Sequence, residues 1–327
     1  MKDIGLVGVP YSGKSTLFTA LTRTGAQGGR SNQAVVPVSD PRLGVLTELE
    51  RSRKVVAAQV RFVDVPGGTT AQGLAALRET DALAVVVRAF GPDPKPSGEL
   101  AEVAADLLLA DMANVETALE NVRRRAKGRG PPELAEVRAL ERAQEELGRE
   151  TALRDAGLGE EERAFLRPLG PLTLKPWVVV ANLEEGGAVP EGLPVGTVGV
   201  SAEIESETAA MPQEEARTLL AEFGVEEPGL ERVVAACYGA LDLITFLTTG
   251  EDETRAWQVR RGATAPEAAG AIHSDLQRGF IRAEVVSYDA LVAAGGWDAA
   301  KSKGQLRVEG KDYVVQEGDV LHVRFAV

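Results

Sequence analysis

Near its amino terminus the chain reads Gly8-Val9-Pro10-Tyr11-Ser12-Gly13-Lys14-Ser15, which fits the pattern G-x-x-x-x-G-K-[ST] of a phosphate-binding loop. A short apolar run at residues 4–7 precedes the stretch and is typical of a buried strand. Residues 15–21, which follow it, are typical of the first turns of a helix. The pattern requires a strand, a glycine loop and a helix in this order. A glycine turn ahead of an ordinary helix is the alternative interpretation of the same residues.

The residue types in this stretch predict how a phosphate chain would be held. Glycines let the backbone curl so that successive N–H groups point at one phosphate chain, and the helix N-terminus adds partial positive charge. We expect Lys14, the candidate catalytic residue, to reach the terminal phosphates, and the Ser15 hydroxyl to ligate Mg²⁺. The predicted phosphate-binding residues are Gly8, Tyr11, Ser12, Gly13, Lys14, Ser15, Thr16 and, from a later segment, Gly67.

Length and composition limit the classes of protein to consider. The 327 residues suffice for two or three domains, and 44% hydrophobic with 26% charged residues is an ordinary globular composition. No apolar run reaches the length of a membrane span. The single cysteine excludes an internal disulfide, which fits a reducing cytoplasm. A net charge of −13 argues against non-specific coating of nucleic acid, although a local basic patch remains compatible with it.

Later apolar runs predict the rest of a nucleotide-binding sheet. Residues 60–63 read as a strand that leads into Asp64-Val65-Pro66-Gly67, a D-x-x-G pattern. There we expect Asp64 to hold Mg²⁺ through a water and the Gly67 N–H to meet the terminal phosphate. Continuous apolar runs at 81–88 and 177–181 are typical of parallel strands buried on both faces, and residues 196–200 read as a further strand. Ligands of such sheets bind at the carboxyl ends of the strands.

Four residues at those strand ends are candidates for holding a base: Asn182, Glu185, Ser201 and Ala202. Guanine-binding domains carry N-K-x-D here, with an Asp that accepts from guanine N1–H and N2–H₂. This chain reads Asn182-Leu183-Glu184-Glu185, which lacks the lysine and has a longer acid. Asn pairs with adenine through N6 and N7, so the pattern favours adenine. The alternative is that these are helix-cap and surface residues.

The composition changes between residues 93 and 172. Apolar residues recur at helical spacing over 100–122 and again over 134–147, with a Gly-Pro turn between, which predicts a helical hairpin arm. A phosphate backbone, as in RNA or the ribosome, would suit the basic tip of this arm. Basic residues that stabilise a solvated helix end are the equally weighted alternative. The basic residues of the tip are Arg123, Arg124, Arg125, Lys127 and Arg129.

From residue 243 onward the pattern becomes rich in strands. Short runs at 244–248, 256–259, 281–286, 313–315 and 321–325 predict a mixed sheet of four or five strands. A helix that begins near Thr264 would pack against that sheet. These elements predict a small α+β unit without acid-base or metal chemistry, whose role is to bind a partner.

The sequence resembles the Obg-like ATPase (YchF) family over nearly its whole length. The resemblance implies a P-loop, GTPase-like α/β domain at 1–92 and 173–242, with a helical arm at 93–172 and a C-terminal TGS domain of β-grasp type at 243–327. It also implies ATP or ADP rather than GTP or GDP as the nucleotide, Mg²⁺ as the metal, and association with ribosomes in the cytoplasm; we expect a monomer. The segments that carry the resemblance are residues 8–16, 39–43, 62–64, 78–82, 172–176, 182–185, 227–230, 255–257, 262–266, 279–283 and 309–313.

The chain departs from the family pattern in its switch segments. Residues 28–38 are too short for the family's first switch and hold no counterpart of its threonine. Residues 68–73 are a shortened second switch, with Gly68 in the position where Ras-like proteins place a catalytic glutamine. The family is thought to use a histidine from a nearby loop, and no histidine occurs between Met1 and Ala271. We therefore expect slow hydrolysis or none, which leaves open whether the chain is an enzyme. A genuine GTPase and a non-catalytic RNA-binding or ribosome-binding scaffold are the alternatives.

Overall fold

The computed structural model describes residues 1–22, 32–65, 67–126, 131–208, 211, 213–223 and 228–326. The chain forms two compact units. The first comprises Met1–Val36 and Arg61–Cys237, and the second comprises Pro37–Val60 and Tyr238–Val327. None of the described helices combines the length and apolar character needed to cross a membrane.

The strands are β1 Lys2–Val7, β2 Asn32–Pro37, β3 Val55–Val56, β4 Gln59–Asp64, β5 Ala82–Ala89, β6 Trp177–Leu183, β7 Val198–Val200, β8 Leu243–Thr248, β9 Thr254–Arg260, β10 Phe280–Ser287, β11 Arg307–Glu309 and β12 Asp319–Phe325. The helices are α1 Lys14–Thr22, α2 Pro41–Glu50, α3 Ala71–Leu77, α4 Pro96–Ala126, α5 Pro131–Gly148, α6 Glu160–Leu166, α7 Ala202–Thr208, α8 Gln213–Glu222, α9 Gly229–Ala240, α10 Ala265–Ile272, α11 Ser274–Arg278, α12 Tyr288–Ala294 and α13 Trp297–Ser302.

The first unit is built on a six-stranded sheet in the order β2-β4-β1-β5-β6-β7. Strand β5 pairs in parallel with both β1 and β6, and β6 pairs in parallel with β7. The run from Ala82 to Val87 is buried throughout because helices cover both faces of such a sheet. The predicted P-loop α/β fold is confirmed, and the carboxyl ends of β1, β5, β6 and β7 meet at one edge.

The predicted arm consists of the long helix α4 and the helix α5, which pack against each other. Their apolar stripes form a core of their own, in which Val115 and Leu119 of α4 meet Leu140 and Leu147 of α5. Helix α6, which the sequence analysis did not predict, extends this core with Leu166. The arm therefore carries its own hydrophobic core rather than depending on the sheet alone.

A buried carboxylate fixes the base of the arm. Asp111 of α4 is fully buried and accepts from Arg78 Nη1 at 2.7 Å and from the Thr173 backbone N–H at 2.7 Å. Arg78 also donates to the Gly170 and Ala110 carbonyls at 3.1 and 2.9 Å. Arg78 caps the end of α3, the helix that follows the D-x-x-G turn. The resemblance motifs at residues 78–82 and 172–176 thus build the root of the arm.

The second unit has a mixed six-stranded sheet in the order β11-β10-β12-β8-β9-β3. From residue 243 onward the sequence analysis expected four or five strands, and the described residues there form five, β8 to β12; the sixth strand, β3, comes from an earlier segment. The expectation of one helix was wrong, because α11, α12 and α13 follow α10 in this unit. The predicted strand at residues 313–315 forms only an isolated bridge, Thr264 to Val314. Its backbone instead bonds to the loop before α10: the Ala265 N–H donates to the Tyr313 carbonyl at 2.8 Å and the Val315 N–H to the Ala263 carbonyl at 3.0 Å.

The segment Pro37–Val60 lies in the second unit, although the sequence analysis assigned it to the nucleotide-binding domain. Arg42 forms a bidentate pair with Asp40 and a further ion pair with Glu317 at 2.7 Å. The Thr254 N–H donates to the Lys54 carbonyl at 2.9 Å, which aligns β3 with β9. Contacts across about 200 positions of sequence therefore attach this segment to the C-terminal strands.

Candidate functional site

The glycine loop between β1 and α1 has a backbone that few other residues would permit. Gly13 has a φ of +85°, and a Cβ added there would lie 2.0 Å from Asn182 Nδ2. A Cβ added to Gly8 would lie 2.5 Å from the Val86 carbonyl oxygen. Glycine is required at both positions by close approach, and at Gly13 by the left-handed backbone as well. The loop has the tight path that a phosphate-binding loop needs, and Thr16 follows it in the first turn of α1.

Lys14 and Ser15, at the start of α1, both contact Asp64 at the end of β4. Lys14 Nζ lies 3.2 Å from Asp64 Oδ1, and Ser15 Oγ donates to Asp64 Oδ2 at 3.2 Å. Asp64 is buried, and within the described residues its Oδ1 accepts no hydrogen bond of regular geometry. A hydroxyl and a carboxylate side by side fit the oxygen ligands that Mg²⁺ prefers.

Tyr11 and Ser12, the two residues before Gly13, are each held in an energetically unfavourable state. Tyr11 has a φ of +67° and its side chain is 92% exposed. Ser12 is only 1% exposed, and its buried hydroxyl has no hydrogen-bond partner in the described part of the chain. A bulky residue in the left-handed region and an unsatisfied buried hydroxyl each destabilise the fold. Such local costs are concentrated at functional sites.

Asn182 holds two loops of the site together. Its side chain is 5% exposed; Nδ2 donates to the Ser12 carbonyl at 3.2 Å, and Oδ1 accepts from the Ala202 N–H at 3.2 Å. The pairing of this amide with adenine stays a prediction; the contacts that the structure shows are to the backbone of the phosphate loop and of Ala202. Ser201 and Ala202 are buried beside it, and Glu185 is exposed. Three of the four predicted base-binding residues therefore lie together.

The turn after β4 packs directly on the phosphate loop. Gly67 and Gly68 have φ values of +86° and +52°, and a Cβ on Gly68 would lie 2.8 Å from the Gly8 carbonyl oxygen. A Cβ on Gly73 in α3 would lie 2.2 Å from the Gly68 carbonyl oxygen. Gly67 itself is exposed, so its position is compatible with contact to a phosphate. Gln72, in the first turn of α3, is exposed as well.

The sequence analysis missed Phe90, which follows β5 at the same edge of the sheet. A Cβ on Gly13 would lie 3.6 Å from Phe90 Cε1, so the ring stands beside the phosphate loop. Its position after the third apolar run was the signal that could have identified it, because strand ends of such sheets carry the ligand-binding residues.

The arginines at the described end of α4 are exposed and paired. Arg123 forms an ion pair with Glu141 at 2.6 Å and Arg125 with Glu136 at 3.5 Å. Arg124 donates to Asn121 Oδ1 at 2.6 Å. Exposed ion pairs contribute little to stability, so a phosphate backbone would compete for these arginines at small cost. The other two candidates, Lys127 and Arg129, lie outside the described residues.

The described residues contain no group of three or more His, Cys, Asp or Glu side chains placed to hold a metal ion. The Ser15 and Asp64 pair is consistent with this, because a Mg²⁺ bound with phosphates uses only one or two protein carboxylates. Burial raises the pKa of the Cys237 thiol to about 12, so that cysteine is an inert core residue rather than a nucleophile.

Two family models match the chain. The model described as "50S ribosome-binding GTPase" matches residues 3–120. The model YchF-GTPase_C, described as "Protein of unknown function (DUF933)", matches residues 243–326. The first match covers the phosphate loop, four of the six strands of the first sheet and most of α4, and the second covers the C-terminal strands β8 to β12.

Relatives are similar over the whole length. The "Ribosome-binding ATPase YchF" of Haemophilus influenzae is 39% identical over 360 residues, which cover 99% of this chain and 99% of that protein. The protein of the same name in Bacillus subtilis is 38% identical over 361 residues with the same coverage. The solved structure of the Schizosaccharomyces pombe YchF GTPase has a TM-score of 0.87 and 27% sequence identity, covering 99% of this chain and 97% of that one. With its phosphate loop, its arm and its C-terminal strands all matched in these relatives, the chain belongs to the YchF family.

Proposed function

We propose that the chain is a nucleotide switch protein that binds ATP or ADP with Mg²⁺ in preference to GTP or GDP. In this proposal it hydrolyses ATP slowly and associates with ribosomes in the cytoplasm. The observation that carries the proposal is the convergence of Lys14, Ser15 and Asp64 at the glycine loop. The names of the relatives, which are ribosome-binding ATPases, support the choice of nucleotide and partner.

Different groups at the loop would bind different parts of a nucleotide and its metal ion. Backbone N–H groups of the loop bind the phosphates, and Lys14 neutralises charge on the terminal phosphates. Ser15 and Asp64 would hold Mg²⁺, whose role is to neutralise charge on the phosphate oxygens. Without nucleotide, Lys14 lies against Asp64 at 3.2 Å, so the two charges compensate each other until phosphate and metal replace the pair.

The base preference rests on the residues after β6. Recognition of guanine N1–H and N2–H₂ needs a carboxylate fixed at this position. Asn182 is committed to the Ser12 and Ala202 backbone, Leu183 replaces the usual lysine, and Glu185 is exposed. No described contact holds the Glu185 carboxylate in place, which supports adenine over guanine.

We expect slow hydrolysis because of the residues that would surround the terminal phosphate of a bound nucleotide. Phosphoryl transfer depends on positioning the attacking water and stabilising charge. Gly68 has no side chain to orient a water, Gln72 is exposed, and no histidine precedes His273 in the sequence. The alignment with the Haemophilus relative spans 360 positions against the 327 residues of this chain, so that relative carries residues that this chain lacks.

For the ribosomal partner we propose two basic surfaces. One is the end of α4 with Arg123, Arg124 and Arg125. The other is on the second sheet, where Arg282 of β10 and Arg324 of β12 are direct cross-strand neighbours and both are exposed. Arg324 also pairs with Glu284 at 3.2 Å, and a bound phosphate backbone would compete for both arginines at small cost.

The decisive experiment is a calorimetric titration of nucleotide-stripped protein with ATP, ADP, GTP and GDP in Mg²⁺. We expect adenine nucleotides to bind more tightly than guanine nucleotides, with binding lost in Lys14→Ala. Lys95→Ala, which removes an exposed lysine, is the matched control and should bind as the wild type does. Absence of nucleotide binding would overturn the proposal in favour of the scaffold.

Guanine preference in the same titration would instead favour the GTPase alternative, to which the match with the "50S ribosome-binding GTPase" model at residues 3–120 lends specific support. If the protein binds nucleotide, its rate of nucleotide hydrolysis is measured next. Rapid, Mg²⁺-dependent and Lys14-dependent release of phosphate would contradict slow hydrolysis. Co-sedimentation with ribosomes tests the partner, and charge reversal of Arg123, Arg124 and Arg125 should weaken it.

A further inference from the structure

Tyr11 stands in the middle of the phosphate loop in a conformation that its side chain disfavours. Its φ of +67° lies in the left-handed region, where the Cβ of an L-residue meets the neighbouring carbonyl. Glycine and asparagine adopt this region readily, whereas for a bulky residue it is a genuine outlier. The path of the loop requires this φ, and a tyrosine at the position makes it costly.

Packing within the protein does not offset this strain. The Tyr11 side chain is 92% exposed, so the ring buries almost no apolar surface in the unliganded protein. The neighbouring Ser12 hydroxyl is buried without a partner in the described residues, and Asp64 Oδ1 is also buried without a regular hydrogen bond. In the loop itself the Tyr11 backbone and the Ser12 hydroxyl are thus left unsatisfied in the absence of a ligand, whereas Asp64 Oδ1 is compensated by Lys14 Nζ at 3.2 Å.

The position of Tyr11 determines what its ring can meet. The backbone N–H groups of a loop of this type surround the phosphate chain of a bound nucleotide. A side chain that leaves the same turn of backbone therefore emerges beside that chain, with the solvent on its other side. An aromatic ring there can cover phosphates on the solvent side, and its hydroxyl can donate to them.

We propose that the Tyr11 ring closes over the phosphate chain of a bound nucleoside di- or triphosphate and slows its release. This inference rests on the proposed nucleotide-binding function and adds a residue that sets the lifetime of the complex. Because the ring meets phosphates and not the base, it acts equally on adenine and guanine nucleotides. The strained backbone is retained because it places the ring at the mouth of the site.

The test is the release rate of fluorescently labelled ADP and GDP from the full chain, measured by stopped flow after mixing with excess unlabelled nucleotide. The variants are Tyr11→Asn and Tyr11→Gly, which suit the left-handed backbone but lack the ring, and Tyr11→Phe, which keeps the ring. We expect release about tenfold faster from the Asn and Gly variants, a change that corresponds to about 1.4 kcal/mol. Tyr11→Phe should stay within about twofold of the wild type, since a loss of one hydrogen bond is small beside loss of the ring.

A second readout separates strain from ligand contact. Without nucleotide, Tyr11→Asn should melt about 2 to 4 °C higher than the wild type, because the left-handed backbone suits asparagine. A variant that is more stable yet releases nucleotide faster cannot be explained by damage to the fold. An unchanged melting temperature would contradict the strain on which the inference depends.

The outcomes distinguish this inference from the proposed function. If the wild type binds neither labelled nucleotide, the nucleotide-binding function fails and this inference with it. If the wild type binds and Tyr11→Asn releases at the same rate, only the role of the ring is overturned. A faster release of one nucleotide but not the other would place the ring on the base, which also overturns contact with the phosphates.

Discussion

Arg78 and the fully buried Asp111 form an ion pair, with 2.7 Å between Nη1 and Oδ1, at the root of the arm, where α4 meets the end of α3. Asp111 also accepts from the Leu172 N–H, the Thr173 N–H and the Thr173 hydroxyl. One carboxylate therefore joins α4 to the end of α3 and to the segment that returns into β6. Four donors compensate for removing this charge from water.

Arg78→Met is expected to destabilise the protein by about 3 to 5 kcal/mol, because it leaves the Asp111 carboxylate buried without its charge partner. Chemical denaturation followed by circular dichroism measures this change. Arg123→Met is the matched control: it breaks the exposed pair with Glu141 and should cost at most about 1 kcal/mol. Equal effects of the two substitutions would show that the Arg78–Asp111 pair contributes no more to stability than an exposed ion pair.

Gly13→Ala is expected to abolish nucleotide binding and to destabilise the first unit. The new Cβ would lie 2.0 Å from Asn182 Nδ2 on a backbone with a φ of +85°, so both the loop and the Asn182 amide must shift. Binding is measured by calorimetry and stability by thermal melting. Gly98→Ala, in α4, meets nothing closer than 3.8 Å and should leave both properties intact. Retained binding in Gly13→Ala would mean that the loop does not hold the phosphates.

Ser12→Ala is expected to stabilise the protein without nucleotide by about 1 kcal/mol, because it removes a buried hydroxyl that has no partner in the described residues. Thermal melting measures the change. Ser52→Ala is the contrasting control, since the Ser52 hydroxyl donates to the Gly250 carbonyl at 2.7 Å, and its loss should lower the melting temperature. A lower melting temperature in Ser12→Ala would show that the hydroxyl stabilises the loop.

Cys237 gives an expected dependence of stability on pH. Burial raises the pKa of its thiol to about 12, above the value of about 8.5 in an unfolded chain. The folded state therefore holds the proton more tightly. The contribution is fully present below pH 8.5 and is lost as the pH rises toward 12, by at most about 1.4 kcal/mol per pH unit. The wild type should lose stability above pH 8.5 more steeply than Cys237→Ala. Parallel curves for the two proteins would show that the thiol titrates normally.

The sequence predicted those parts of the site that depend on neighbouring residues. The glycine loop with Lys14 and Ser15 is a local pattern, and Asp64 stands at the end of a recognisable strand, so their meeting follows from a parallel sheet. Helix α2 was missed although Asp40 and Pro41 are a regular start signal, and Asp40 does cap it.

The remaining features depend on contacts that no local pattern contains. Asn182 was placed at the correct strand end, but the loops that its amide binds are 170 and 20 residues away. Residues 78–82 were among the segments that carry the family resemblance. Asp111, the partner of Arg78, lies within a long helix whose sequence is an ordinary amphipathic pattern. The attachment of Pro37–Val60 to the C-terminal strands is set by tertiary packing, which outweighs proximity in sequence.

The second unit is built from two segments that lie far apart in the sequence, and this has a consequence during synthesis. Pro37–Val60 leaves the ribosome well before Tyr238, and at about 5 to 20 residues per second the intervening 177 residues take about 9 to 35 s to translate. Throughout that interval Leu43 and Leu46, which are buried in the finished protein, have none of the C-terminal strands to cover them. The nascent chain therefore carries these two uncovered leucines until translation is nearly complete, and in that window it is most dependent on chaperones and most sensitive to the speed of elongation.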